Sequence, residues 1–122
     1  MSQLILIVDD NENNRKLARA TCSSYAGFST VEATGGVEGV AMAMEHKPAL
    51  VLMDIRMPDL SGTEALKLLR DDSRTAEIPI VALTSSTMRG DEERFISEGF
   101  DGYLAKPISV REFPDQVRSY LK

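Results

Sequence analysis

Five short apolar runs punctuate the chain: Leu4–Val8, Ser29–Ala33, Ala49–Met53, Ile80–Leu83 and Gly102–Leu104. A short run with no polar break reads as a strand buried on both faces, because a half-exposed strand alternates. The second run carries Ser29, Thr30 and Glu32, so it is expected at a sheet edge. Between the runs, apolar residues recur at helical spacing. Leu17, Cys22 and Tyr25 share one face of the first segment, and Val37, Val40, Ala41 and Met44 line the second. Ala65, Leu66 and Leu69 line the third, Phe95 and Ile96 the fourth, and Phe113, Val117 and Leu121 the last.

The punctuation agrees with this division. Gly27-Phe28 and Gly99-Phe100 each pair a helix-terminating glycine with an apolar anchor. Pro48 and Pro79 stop helices just before the third and fourth runs. Ser61 to Glu64 and Ser109 to Glu112 are capping-box patterns, so helices are expected to start there. Pro114 then falls about five residues into the last helix, where the loss of a backbone bond predicts a kink or a loosened first turn.

Strand and helix alternate five times. That order predicts a parallel sheet, right-handed crossovers and helices on both faces. With no linker, low-complexity stretch or strict repeat, residues 1–122 read as one domain.

In an open parallel sheet, ligands sit beyond the carboxyl ends of the strands. Asp9-Asp10 follows the first run, Asp54 the third, Thr84-Ser85-Ser86 the fourth and Lys106-Pro107 the fifth. The second ends in Thr34-Gly35-Gly36, an ordinary turn. Three carboxylates, a hydroxyl and an ammonium therefore converge on one edge. Taken singly, Asp10 is a helix cap and Lys106 a solvated surface lysine. Their joint placement in the order the fold demands changes that reading.

Three clustered carboxylates cannot all stay ionised without compensation. A hard divalent cation supplies it, and Mg2+ (or Mn2+ in its place) favours carboxylate oxygens together with phosphate oxygens. Three carboxylates, one ammonium and one divalent cation balance to neutrality, a site that welcomes a phosphoryl group. Asp54 is the natural nucleophile, with Lys106 and Thr84 as partners for phosphoryl oxygens. The alternating oxygens of Asp9–Asn14 invite comparison with a calcium loop, but Asn14 and Ala20 stand where glycine and glutamate are required.

Totals narrow the picture. A net charge of −5 gives nucleic acid no electrostatic reason to bind. No apolar run approaches the roughly 18 residues of a membrane span. Leu4–Val8 is too short for a signal peptide core and lacks a basic flank, so the expected location is cytoplasmic. Cys22 is the only cysteine and reads as a buried, inert thiol. His46, the only histidine, reads as a cation near a helix C-terminus rather than a phosphorelay histidine.

Asp9-Asp10, MDIRMPDLSG around Asp54, ALTSS around Thr84 and YLAKPIS around Lys106 together resemble the receiver domain of bacterial two-component response regulators, over the whole chain. The resemblance implies a flavodoxin-like fold with strand order 2-1-3-4-5 and no output domain. It implies Asp54 as phosphoacceptor, and Mg2+ held directly by Asp10, by Asp9 through water or as a second ligand, by Asp54 and by the backbone carbonyl of Arg56. Thr84 and Tyr103 become switch residues, Lys106 the phosphoryl contact, and Lys106-Pro107 a cis peptide. Arg56 and Ser86, each two residues past Asp54 or Thr84, are expected to tune the lifetime of the phosphoryl group. The chain would not be an enzyme, but a phosphoacceptor that assists its own phosphorylation and dephosphorylation. Its donor would be a histidine kinase or a histidine phosphotransfer protein, and its target would dock on helix 4, strand 5 and helix 5, with Arg89, Glu93, Tyr103 and Arg111 as contacts. The expected assembly state is a monomer or weak dimer. Two other functions are weaker. A metal-dependent phosphatase with an aspartyl intermediate needs Asp-x-Asp after its first strand, and an unphosphorylated interaction module needs none of these residues.

Overall fold

Each of the five apolar runs becomes a strand, with limits moved by no more than one residue. They are β1 (Gln3–Val8), β2 (Phe28–Ala33), β3 (Leu50–Asp54), β4 (Ile80–Thr84) and β5 (Gly102–Ala105). The helices are α1 (Glu12–Ser23), α2 (Gly36–His46), α3 (Gly62–Asp71), α4 (Asp91–Glu98) and α5 (Phe113–Tyr120). The structure, a computed structural model, describes residues 3–23, 28–84, 91–106, 108 and 111–121, with backbone alone at 91 and 92. Tyr25, Gly27, Ser85, Ser86, Arg89, Pro107 and the proposed cap at Ser109 lie outside the described residues.

All strands pair in parallel in the order β2-β1-β3-β4-β5. The polar second run is an edge strand, as its composition predicts. Its helices divide between the two faces. Ile5, Ile7, Leu50, Leu52, Val81 and Leu83 pack against Cys22 of α1 and Phe113 and Val117 of α5. Leu6, Val8, Val51, Met53, Ile80 and Ala82 pack against Ala43, Leu66, Leu69 and Phe95 of α2, α3 and α4. This alternation is why the runs of β1, β3 and β4 carry no polar residue: both of their faces are covered. Burying each Leu, Ile or Phe contributes about 2 kcal/mol.

Three expectations are corrected. Val37 is 60% exposed and Ala41 is exposed too; the buried residues of α2 are Gly36, Gly39 and Ala43, with Val40 and Met42 packed partly against the core. A Cβ on Gly39 would lie 2.7 Å from Val8, so α2 approaches β1 more closely than a valine face allows. Ile96 is 48% exposed, which leaves Phe95 as the apolar anchor of α4 among its described side chains. Finally, α5 begins at Phe113, so Pro114 sits in its first turn. No intrahelical bond is lost there, and the predicted kink has no cause.

The Ser61 capping box forms as predicted, with Ser61 and Glu64 exchanging side-chain-to-backbone bonds. Gly99 adopts φ +114° just past α4, the left-handed conformation a glycine C′ position uses. His46 closes α2, as expected. Burial pushes the Cys22 thiol up to about 11, consistent with an inert core residue.

Candidate phosphoacceptor and metal site

Strand register brings the candidate residues to one edge. Val8 pairs with Met53, so Asp9 and Asp54 emerge side by side beyond β1 and in the last position of β3. Asp54 pairs with Leu83 and Thr84 with Ala105, which sets Thr84 and Lys106 on the neighbouring strand ends. The Lys106 amide donates to the Thr84 carbonyl at 2.8 Å, locking the start of the β5 exit loop to β4.

One ligand oxygen from each of Asp9, Asp10 and Asp54 lies within 4.8 Å of the others. Asp9 is fully buried, Asp54 nearly so, and Asp10 exposed. Lys106 Nζ lies 2.9 Å from Asp9 Oδ2 and 3.0 Å from Asp54 Oδ1. Asp9 Oδ1 accepts the Asn11 amide at 2.9 Å. Asp9 Oδ2 is sealed from solvent, and its approach to Lys106 neutralises charge without hydrogen-bond alignment among the described residues.

These environments raise the proton affinity of both Asp54 and Lys106. Burial pushes the Asp54 carboxyl up to about 6, with repulsion from Asp9 adding to it and the hydrogen bond from Lys106 opposing it. Burial alone would lower the Lys106 ammonium, but its two carboxylate partners more than offset this and raise it. The site holds more negative charge than a single lysine satisfies. Three clustered carboxylates served by one ammonium, an all-oxygen donor set, suit a hard divalent cation.

Arg56 is exposed, and its amide donates to Asp54 Oδ1 at 3.4 Å. Thr84 is 7% exposed, and alternation along β4 puts it on the same face as Ala82, the face α4 covers. Tyr103 lies on that face too, half-buried, with its ring centroid 6.3 Å from that of Phe95. It therefore lies against α4 rather than within the carboxylate cluster.

Two supporting residues escape a reading of the sequence. Arg15 donates from Nη1 to the Asp9 carbonyl at 2.8 Å while its Nε lies 3.4 Å from Glu32, so a cation of α1 braces the acidic turn. Asp59 accepts two backbone amides at the start of α2. The available signal for the second is negative: Gly35 offers no side chain to cap α2.

A parallel sheet in this order, with paired aspartates, a third aspartate and a lysine at its carboxyl edge, defines a phosphoacceptor-type signalling module. The chain belongs to the response regulator receiver domain family, whose model matches residues 5–118. It is 43% identical over 121 residues to the polar-differentiation response regulator DivK of Brucella anthropi, covering 99% of this chain and 98% of that one. The DivK of Brucella ovis is equally similar, at 43% over the same span. Among solved structures, the chemotaxis response regulator CheY4 of Vibrio cholerae superposes with a TM-score of 0.91 at 26% identity, covering 99% of this chain and all of that one. The receiver domain of the sensor histidine kinase PA1611 from Pseudomonas aeruginosa, solved with a magnesium ion coordinated in its active-site cleft, gives 0.87 at 31% identity, covering 98% of each chain.

Proposed function

We propose that Asp54 accepts a phosphoryl group from a phosphohistidine, carried by a histidine kinase or a histidine phosphotransfer protein, in an Mg2+-dependent reaction. The observation that carries this reading is the placement of Asp54 between two further carboxylates and Lys106 at the sheet's carboxyl edge. Asp9, Asp10, Asp54 and the Arg56 carbonyl would hold the metal, with Mn2+ able to substitute. When bound, the cation supplies charge neutralisation for the incoming phosphoryl oxygens.

An oxygen of the Asp54 carboxylate attacks phosphorus while the phosphorus–nitrogen bond to the donor histidine breaks, and the imidazole leaves. Lys106 is already within 3.0 Å of Asp54 and shifts its ion pair to a phosphoryl oxygen as the acceptor charge is converted. The Thr84 hydroxyl supplies a second donor from the adjacent strand. Hydrolysis reverses the state: water attacks the same phosphorus, the bond from phosphorus to the Asp54 oxygen breaks and inorganic phosphate leaves, with Arg56 and Ser86, each two residues past Asp54 or Thr84 in sequence, tuning the lifetime. The chain thus assists chemistry on itself and turns over no separate substrate.

The phosphoryl group carries roughly two negative charges, in place of the one on the carboxylate, beside Thr84. Movement of Thr84 toward it opens space for Tyr103, and α4 repacks around Phe95, changing a partner face on α4, β5 and α5. Such a switch biases two existing states. The proposed location is the cytoplasm; among the described residues no helix is long and apolar enough to cross a membrane.

Incubation with acetyl phosphate and Mg2+, followed by mass spectrometry, tests the assignment. One phosphoryl mass is expected on the wild type with Mg2+ or Mn2+, and none with a chelator or in Asp54→Asn. Full labelling of Asp54→Asn contradicts it.

A further inference from the structure

The segment joining Asp54 to α3 carries the Arg56 carbonyl, and it is fixed at its ends by its own backbone. Ile55 donates to the Leu83 carbonyl at 3.2 Å, and Gly62 donates to the Ile55 carbonyl at 2.9 Å. Gly62 closes this loop so tightly that a Cβ there would lie 2.4 Å from the Asp54 carbonyl oxygen. Between these ends, Met57 inserts into the core beneath α2, α3 and α4. A methionine in an apolar pocket sets depth, but its flexible side chain leaves the loop free to roll about that point.

Asp59 removes that freedom. It is an exposed side chain, yet both of its oxygens are used: Oδ1 accepts the Gly36 amide at 3.0 Å and Oδ2 the Val37 amide at 3.1 Å. These are the first two residues of α2, whose N-cap, Gly35, has no side chain to do the same work. A carboxylate twenty-odd residues away in sequence therefore caps the helix, where the dipole also favours its charge. The Val37 and Gly36 amides hold the Asp59 carboxyl below its ordinary range. The fit is close on both sides: a Cβ on Gly35 would lie 2.9 Å from Asp59, and one on Gly36 would lie 2.5 Å from the Leu60 carbonyl oxygen. Glycine at both positions lets the loop and the helix start touch.

We infer that Asp59 is a positioning residue for the metal site: by clamping the loop to the start of α2, it fixes the direction in which the Arg56 carbonyl points. Two directed hydrogen bonds set the loop's rotation where Met57 sets only its depth, and a ligand carbonyl needs its orientation held to within a fraction of an ångström. This rests on the proposed use of Asp10, Asp54 and Arg56 in Mg2+ binding. Partners outside the ligand set commonly change metal affinity by 10- to 100-fold.

Calorimetric titration with MgCl2 tests the inference on the wild type and the variants Asp59→Ala, Asp59→Asn, Ala43→Gly and Asp10→Ala. Asp59→Ala is expected to weaken Mg2+ binding about tenfold. Asp59→Asn keeps one acceptor oxygen and is expected to weaken it about threefold, an intermediate step toward that loss. Ala43→Gly weakens α2 two turns from the loop, lowering the thermal midpoint without moving Mg2+ affinity. The Mg2+ concentration giving half-maximal phosphorylation should rise in Asp59→Ala while the rate at saturating Mg2+ holds. Wild-type affinity in Asp59→Ala, with only a lower midpoint, overturns the inference and leaves Asp59 a helix cap. If Asp10→Ala binds Mg2+ as tightly as the wild type, the site reading itself fails, and the inference falls with it.

Discussion

Helices α3 and α4 lie side by side on one face of the sheet, yet they are fixed in different ways. α3 starts at a reciprocal capping box and buries Gly62, Ala65, Leu66 and Leu69. Along residues 93–98 of α4, Phe95 is the one buried side chain. Among the described residues, further contacts of this region lie at the C-terminal end of α4. Thr63 donates to Glu98 at 3.2 Å, Arg70 Nη2 reaches the Gly99 carbonyl at 3.0 Å, and the Phe100 ring meets Phe95 edge-on at 5.9 Å. Arg70 also pairs with Asp101 at 2.7 Å, and Asp101 accepts the Ile80 amide at the same distance, so this corner is tied into β4. The contrast assigns different duties. In the proposed switch, α3 and its preceding loop would form the frame for the acceptor, and α4, whose one buried side chain among those described is Phe95, would be the element that moves. A switch needs both: a site that stays put and an element whose packing is cheap to change.

The largest effect expected from breaking this contrast is at Phe95. Phe95→Ala removes the one buried side chain of α4 among those described and should lower global stability by about 4 kcal/mol. Urea unfolding measures that loss, and amide exchange should show α4 losing protection ahead of α3. Equal loss of protection in both helices would mean that α4 is no more weakly docked than its neighbour.

The acceptor end of the frame carries charge at the expense of stability. Because Asp54 stands at about 6 in the metal-free fold, the native state binds its proton more tightly than the unfolded chain does. Stability therefore falls as pH rises from about 4 to about 6 and stays depressed above that. Asp54→Asn should stabilise the metal-free protein by about 2 kcal/mol at pH 7, a gain that vanishes as pH falls to about 4. Thermal melts across that pH range, in chelator, check it. A variant less stable than wild type at pH 7 would contradict the assigned electrostatics.

Smaller effects sharpen the comparison at the helix surfaces. Ser61→Ala should cost about 1 kcal/mol, because the cap that starts α3 is lost. Ile96→Ala, despite removing a large apolar side chain from α4, should stay within about 0.5 kcal/mol because that side chain already faces water. Chemical denaturation of the two variants side by side reads the difference.

What was legible in the sequence follows the same physical division. A strand covered on both faces must be apolar throughout, so β1, β3 and β4 announce themselves, and the polar residues that end them stand out against that background. The candidate site was legible for this reason: Asp9, Asp10, Asp54, Thr84 and Lys106 all follow apolar runs directly or nearly so. The face of α2 was not legible, because the residues that touch β1 are glycines and an alanine, and close packing by small residues leaves no hydrophobic signal. Val37 and Val40 drew attention to a face that is partly solvent. The clamp from Asp59 to Gly36 and Val37 joins distant positions through backbone amides, which carry no side-chain identity to read. Pro114 was misplaced because a capping pattern around Ser109 suggested an earlier helix start, whereas the α-helix begins at Phe113.

The most direct test of the division between a fixed frame and a movable lever is amide hydrogen exchange with and without beryllofluoride, a phosphoryl mimic, at saturating Mg2+. Residues 91–105, which span α4 and β5, should change protection most, while residues 62–71 of α3 hold their rates. In Thr84→Ala the mimic should still bind, but the change in residues 91–105 should be lost. Changes confined to the turns around Asp10 and Asp54, or equal changes in α3 and α4, would contradict the account.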